Sequence, residues 1–367
     1  MKLLIILLIL LTGCTKEKIQ NKTIEYGEKT TLYDLIKNES ITSPNIEIIA
    51  DKLETRTIEY KINNKKVKLK LKITDTTKPL LQVQNTYYIE QNKNFDIKKV
   101  IFFGDNYDRE PKLEIIGQYD TTKLGTYNLK IKVTDKNGNK TEKETKIIVE
   151  KKQNQTYTQN KYKFDDFKNN YKDYIHGIDV SVWQGDVDFQ KVKEAGCEFV
   201  MIRIGYGPNS DNTYTLDKKF KQNIKNAKEA GLQVGVYFYS YATTKEEAKK
   251  EANWIIETLN NEKLELPIAF DWESWTSFDD YHLNFLDINN IAASFMDECL
   301  KQGYDTMLYS SLNYLNNVWN LDEYKIWLAH YTKQTTYDKE YLIWQNSSIG
   351  TINGINGYVD LDLMKKR

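Results

Sequence analysis

Two carboxylic acids stand one residue apart in Leu266-Pro-Ile-Ala-Phe-Asp-Trp-Glu273, directly after a short apolar run. In an extended strand, residues i and i+2 project to one side, with Cα atoms about 6.5–7 Å apart. Asp271 and Glu273 can therefore face one cavity. Two further acids belong to apolar runs: Asp179 in His176-Gly-Ile-Asp-Val-Ser181, and Asp360 near the C-terminus. Carboxylates held close together cannot all ionise cheaply. Like charge and partial burial raise at least one of them, which creates a general acid able to work near neutrality. Cleavage of a glycoside needs that combination: one protonated carboxyl for the leaving oxygen, and a second negative group for the oxocarbenium-like centre.

For these acids to meet, the strands that carry them must close around one mouth. From Tyr174 onward the pattern alternates. Strands are expected at 176–181, 199–204, 233–239, 267–271 and 306–309, with helices at 189–195, 218–230, 245–259 and 289–301 between them. Strands at 325–329, 341–345 and 358–363 then follow without helices. Alternating β and α implies a parallel sheet, and about eight strands imply a closed barrel, irregular because the late helices are missing. Chemistry in such barrels sits at the C-terminal ends of strands. Asp179, Asp271 and Glu273 fall there. Asp360 lies in the last strand, which neighbours the first in a closed barrel.

Several blocks in this half resemble glycoside hydrolase family 25, the muramidases. They run from Gly177-Ile-Asp-Val-Ser-Val-Trp-Gln-Gly185 through Arg203-Ile-Gly-Tyr-Gly207, Gly231 to Ser240 and Leu266 to Glu273, and then Tyr309-Ser310, Trp327 to Ala329, Trp344-Gln345 and Val359-Asp360. The resemblance implies a TIM-like (β/α)5(β)3 barrel over residues 174–367. It also implies hydrolysis of the β-1,4 bond from N-acetylmuramic acid to N-acetylglucosamine in peptidoglycan, without a cofactor. Carried over, Glu273 is the general acid. Asp271 steadies the reacting centre or holds the substrate's 2-acetamido group, and Asp179 and Asp360 are supporting acids. Tyr206, Tyr239, Tyr309, Tyr331 and Gln345 are candidates to line the sugar groove. Two rival readings remain: a wall-binding protein that keeps the barrel without turnover, and a different acetamido-sugar glycosidase. The D-x-x-D-x-D-x-E pattern of chitinase-like barrels is absent from Pro267 to Glu273.

The front of the chain reads as an address. Met1 to Cys14 has one Lys, an apolar run from Leu3 to Leu11, and then Leu-Thr-Gly-Cys. The run is too short to span a bilayer and fits a secretory signal core. Its end resembles a bacterial lipobox. That implies removal of residues 1–13, acylation of Cys14 and an extracytoplasmic, lipid-anchored protein, with residues 14–22 as a tether.

Residues 23–77 and 78–151 are expected to form two small all-β domains. Leu69-Lys-Leu-Lys-Ile-Thr-Asp75 alternates with period two, and Leu129-Lys-Ile-Lys-Val-Thr-Asp135 repeats it. Both stretches resemble bacterial immunoglobulin-like sandwiches of about seven strands each. They would serve as spacers, or bind wall polymer or a protein partner. Polar residues 152–173 are expected to be a linker.

Composition closes off other classes. Lys plus Arg equals Asp plus Glu at 52 each, which argues against nucleic acid as a partner. The three His have no metal-ligand spacing, so no metal site is expected. Cys197 and Cys299 fall in apolar segments, and a disulfide between them stays open.

Overall fold

The computed structural model describes residues 19–38, 40–151, 161–321 and 323–366. The signal segment and Cys14 lie outside them. No helix among the described residues is long and apolar enough to cross a membrane. The chain divides into two compact units at Thr77/Lys78.

The first unit is a small β fold. Strand β1 (Ile19–Glu25) runs parallel to β5 (Lys65–Thr74), which pairs antiparallel with β4 (Thr55–Ile62). Strands β2 (Lys29–Thr31) and β3 (Glu47–Ile49) form a separate pair, with helix α1 (Leu32–Ile36) between them. The β4–β5 turn is Asn63-Asn64. Both residues have positive φ (48° and 61°), as a two-residue hairpin turn requires. Tyr60, Leu69 and Leu71 fill its core.

The second unit opens with another β module. Strands β6 (Leu80–Gln82) and β8 (Phe102–Gly104) pair with each other. Strand β7 (Thr86–Glu90) lies parallel to β11 (Lys140–Glu150), which is followed in the sheet by β10 (Gly125–Thr134) and β9 (Lys112–Ile116). Among the described residues the two modules thus have five and six strands, against the expected seven or so in each. The letter-for-letter repeat also misleads about strand role. Leu69–Asp75 belongs to the last strand of its module, which lies parallel to the first, whereas Leu129–Asp135 belongs to the strand before the last. Alternating apolar and Lys residues mark a half-buried strand without specifying which one it is.

The barrel has eight strands: β13 (Tyr174–Val180), β14 (Phe199–Gly207), β16 (Gln233–Ser240), β17 (Ile268–Asp271), β18 (Thr306–Ser311), β19 (Lys325–Ala329), β20 (Ile343–Thr351) and β21 (Val359–Lys365). A short β15 (Thr215–Leu216) pairs with the end of β14. The first seven are mutually parallel. Strand β21 closes the ring antiparallel to both β20 and β13. Helices α3 (Phe189–Glu194), α4 (Phe220–Glu229), α5 (Lys245–Leu259), α6 (Phe285–Lys301) and α7 (Leu312–Asn317) follow the first five strands, and among the described residues no helix follows the last three.

Strand alternation sorts each side chain in or out. In β14, Phe199 and Met201 fill the lumen, while Val200, Ile202 and Ile204 face the helices. Gly177 exists because a Cβ there would lie 2.4 Å from the Phe199 ring. Cys197 and Cys299 are buried free thiols, not a disulfide.

The expected linker 152–173 is in part folded. Strand β12 (Tyr162–Lys163) pairs with the end of β20, and helix α2 (Phe164–Asn170) buries Phe164 and Phe167 in the barrel core. Two aromatic rings three residues apart suffice to anchor this seven-residue helix, but they are too few to register as a period in a polar stretch. Phe167 is 0% exposed. Phe167→Ala should therefore cost about 3–5 kcal/mol, read as a lower chemical-denaturation midpoint of the second unit. An unchanged midpoint would show that this segment is no part of the core.

Candidate active site

A cavity of about 270 Å³ opens at the barrel mouth, and Asp179, Asp271, Glu273 and Asp360 all line it. The strands explain the convergence. Asp179 and Asp360 are direct neighbours in the β13–β21 register. Asp271 is the last residue of β17, between Tyr239 of β16 and Tyr309 of β18. Glu273 lies just beyond the strand, in irregular backbone. The same-side expectation for Asp271 and Glu273 therefore holds, although only Asp271 is inside the strand.

Gln345 joins three of the walls. Its Nε2 donates to Asp179 Oδ2 (2.7 Å), while its Oε1 accepts from Tyr309 Oη (2.8 Å) and Tyr331 Oη (2.9 Å). This fixes the amide orientation and sets one Asp179 oxygen. Tyr239, Tyr309, Tyr331 and Gln345 all line the cavity. Tyr206 does not. The bulge between Arg203 and Gly205 brings Tyr206 into register with the cavity-lining Tyr239, and its ring lies beside the Arg203 guanidinium at 5.9 Å, outside the cavity lining.

Several site residues were not singled out from the sequence. Arg203 lines the cavity, with its guanidinium paired to Asp217 (Nη2 to Oδ2, 2.7 Å; Nε, 2.8 Å). Asp362 is fully buried below the mouth, and its Oδ1 accepts from Trp327 Nε1 (2.8 Å). Parity could have found both: Asp362 is two residues from Asp360, and Arg203 is two from the lumen-facing Met201. Trp183 lines the rim and is 82% exposed. Its turn is held by a capping box in which Ser181 N–H donates to Gln184 Oε1 (2.8 Å).

The electrostatics follow from burial and crowding. Burial raises Asp179, and the charges of Asp360 and Asp362 add to it. Burial raises Asp271, and Glu273 adds to it against the pull of Arg203. Burial pushes Asp360 up to about 6. Burial also pushes Asp362 up to about 7, against the Trp327 hydrogen bond and with the Asp360 charge adding. Glu273 is open to solvent through the mouth, yet the cleft walls surround it. That enclosure raises its carboxyl, and the Asp360 charge raises it further. Protons are thus retained at neutral pH among five neighbouring carboxyls, so the group can donate a proton and present negative charge at once.

Comparison with known proteins places these features. The autolytic lysozyme of Clostridium acetobutylicum is 32% identical over 191 residues, which cover 51% of this chain and 55% of that protein. This chain thus spans about half the length of that relative. Lysozyme M1 of Streptomyces globisporus is 28% identical over 51% of this chain and 66% of its own length. A family 25 glycosyl hydrolase structure from Bacillus anthracis aligns at a TM-score of 0.45 and 22% identity, covering 53% of this chain and 89% of that one. Residues 178–355, which include Asp179, Asp271 and Glu273 and stop short of Asp360, match the model of the glycosyl hydrolases family 25.

Proposed function

We propose that this protein is a peptidoglycan hydrolase that cleaves the β-1,4 bond between N-acetylmuramic acid and N-acetylglucosamine. We also propose that it works outside the cell, held to the membrane by lipid on Cys14. The observation that carries the enzymatic reading is the convergence of Asp179, Asp271, Glu273 and Asp360 on one barrel mouth, with burial holding protons among them.

Glu273, protonated, gives its proton to the glycosidic oxygen as the bond from that oxygen to the muramic acid C1 breaks. Asp271 faces the positive charge that develops at the sugar ring, or orients the 2-acetamido oxygen to form the transient bond to C1. Water then adds its oxygen to C1, and its proton returns to the Glu273 carboxylate. The Asp360 charge raises Glu273, and Asp179 is fixed in place by Gln345. Trp183, Tyr239 and Tyr331 offer ring faces to the sugars.

The chain lacking residues 1–14 should release fragments with N-acetylmuramic acid at the new reducing end from purified peptidoglycan, read by mass spectrometry. Glu273→Gln should bind wall and lose turnover by at least about 100-fold. Near-normal turnover in that variant would remove Glu273 from the role, and no release by the parent protein would favour a wall-binding role.

The Asp360 charge helps raise Glu273, so removing it lowers the Glu273 pKa. The acid then deprotonates at lower pH. Asp360→Asn should accordingly move the alkaline limb of the kcat/KM profile to lower pH. An unmoved limb would show that the two groups do not communicate. For the anchor, Cys14→Ala should shift the protein from the membrane fraction to the medium.

A further inference from the structure

We propose that the β module of residues 78–151 is a working part of the catalytic unit, and that its Phe102 is a positioning residue for Glu273. The inference rests on the reading of Glu273 as the general acid.

Strand β8 divides its side chains between two cores. Phe103 points into the module's own core, with Leu81 and Ile131. Phe102, on the opposite face and 3% exposed, belongs to the core of the barrel. Its ring meets Trp275 edge-on at 5.6 Å, Phe278 at 5.6 Å and Tyr314 at 5.2 Å. Gly104 shares that face. A Cβ there would come within 2.7 Å of Phe285 and 3.0 Å of Phe278, so only glycine permits this approach.

The loop after β8 continues the contact. Asp105 O accepts from Phe285 N–H (2.9 Å), and Tyr107 O accepts from Asn284 Nδ2 (2.9 Å). Arg109 forks onto Asp287 through Nε (2.6 Å) and Nη2 (2.8 Å). The module thus grips the 3-10 turn Trp275–Tyr281 and the start of α6, the segment that leads away from Glu273.

The Glu273 side chain makes no hydrogen bond among the described residues, and burial and the Asp360 charge raise its carboxyl. Its placement therefore depends on its backbone. That backbone is held at both ends. Trp275 N–H donates to Glu273 O (2.8 Å), and the Trp275 ring stacks on Tyr314 at 3.8 Å. On the other side, Trp272 Nε1 donates to Ala242 O (3.2 Å). Ala242 N–H in turn donates to Ser240 Oγ (3.1 Å), which donates to the fully buried Glu251 (2.7 Å). Trp272 and Trp275 meet edge-on at 4.8 Å. Glu251 supports this clamp from within the barrel, and Phe102 closes it from the module.

Removing the Phe102 ring leaves a gap beside Trp275, into which the turn can move. A shift of about 1 Å at a catalytic group can cost about 100-fold in rate. In the chain lacking residues 1–14, Phe102→Ala should lower kcat on purified peptidoglycan by about 10- to 100-fold with little change in KM. It should also move the alkaline limb of the pH profile downward, because a displaced Glu273 loses enclosure. Phe102→Leu should restore most of both. A merely structural role would scale the rate with the folded fraction and leave the pH profile in place. Should Phe102→Ala aggregate, Gly104→Ala presses the module off the barrel without opening either core, and should show the same loss. Wild-type kcat and pH profile in the folded variants, beside an inactive Glu273→Gln, would overturn this inference alone. An inactive wild type would overturn the hydrolase reading with it.

Discussion

Among the described residues, Arg203 is the one cation that lines a mouth crowded with carboxyls, and Asp217 already engages its guanidinium. No other described side chain lining that cavity offers positive charge to Asp179, Asp271, Glu273 and Asp360. Their mutual repulsion must therefore be relieved by protons, and the barrel decides where those protons stay. Asp179 has a fixed donor in Gln345, and Asp362 has one in Trp327. Glu273 has neither, and enclosure and the Asp360 charge raise its carboxyl. On the proposed reading, a carboxyl raised that way gives its proton to a leaving group without first breaking a hydrogen bond.

The acids could be read from the sequence because alternation in a strand is a strict geometric rule. Asp179, Asp271 and Asp360 each stand at a parity fixed by the apolar residues around them, and the barrel closure that joins β13 to β21 follows from the strand count. The failures share another cause. The bulge after Arg203, which carries Tyr206 into the parity of Tyr239, leaves no compositional trace. The segment around Phe164 and Phe167 read as a linker because a seven-residue helix is too short to display a period. Leu69–Asp75 and Leu129–Asp135 read as equivalent because similar letters say nothing of which neighbours a strand pairs with.

Phe102 is the hardest case and the most informative. Ile101-Phe-Phe-Gly104 is an unbroken apolar run, and the strand within it, β8, has two faces that serve different cores. A period-two pattern registers that both faces are apolar. It cannot register that one of them is buried by a domain beginning more than seventy residues later in the chain. Gly104 carried the missing information, since a glycine within a strand marks close approach by another group. Here the group is Phe285, next to the cap of α6.

The aromatic rings behind Glu273 act on its backbone and not on its carboxyl. Trp272, Trp275, Phe278 and Tyr314 pack in the core around the turn that follows β17, and none of them lines the cavity. Flat rings with two side-chain torsions are stiff, and edge-on contacts near 5 Å leave them little room to slide. Stiffness thus comes from one set of side chains, while the enclosure that raises the carboxyl comes from the cavity walls. Hydrogen bonds to the carboxylate would also have held Glu273 in place, but they would have favoured its ionised form. Anchoring through the backbone avoids that, at the cost of making the carboxyl's position depend on the packing behind it. On the proposed reading of Glu273 as the acid, the contact at Phe102 therefore bears on a residue it does not touch.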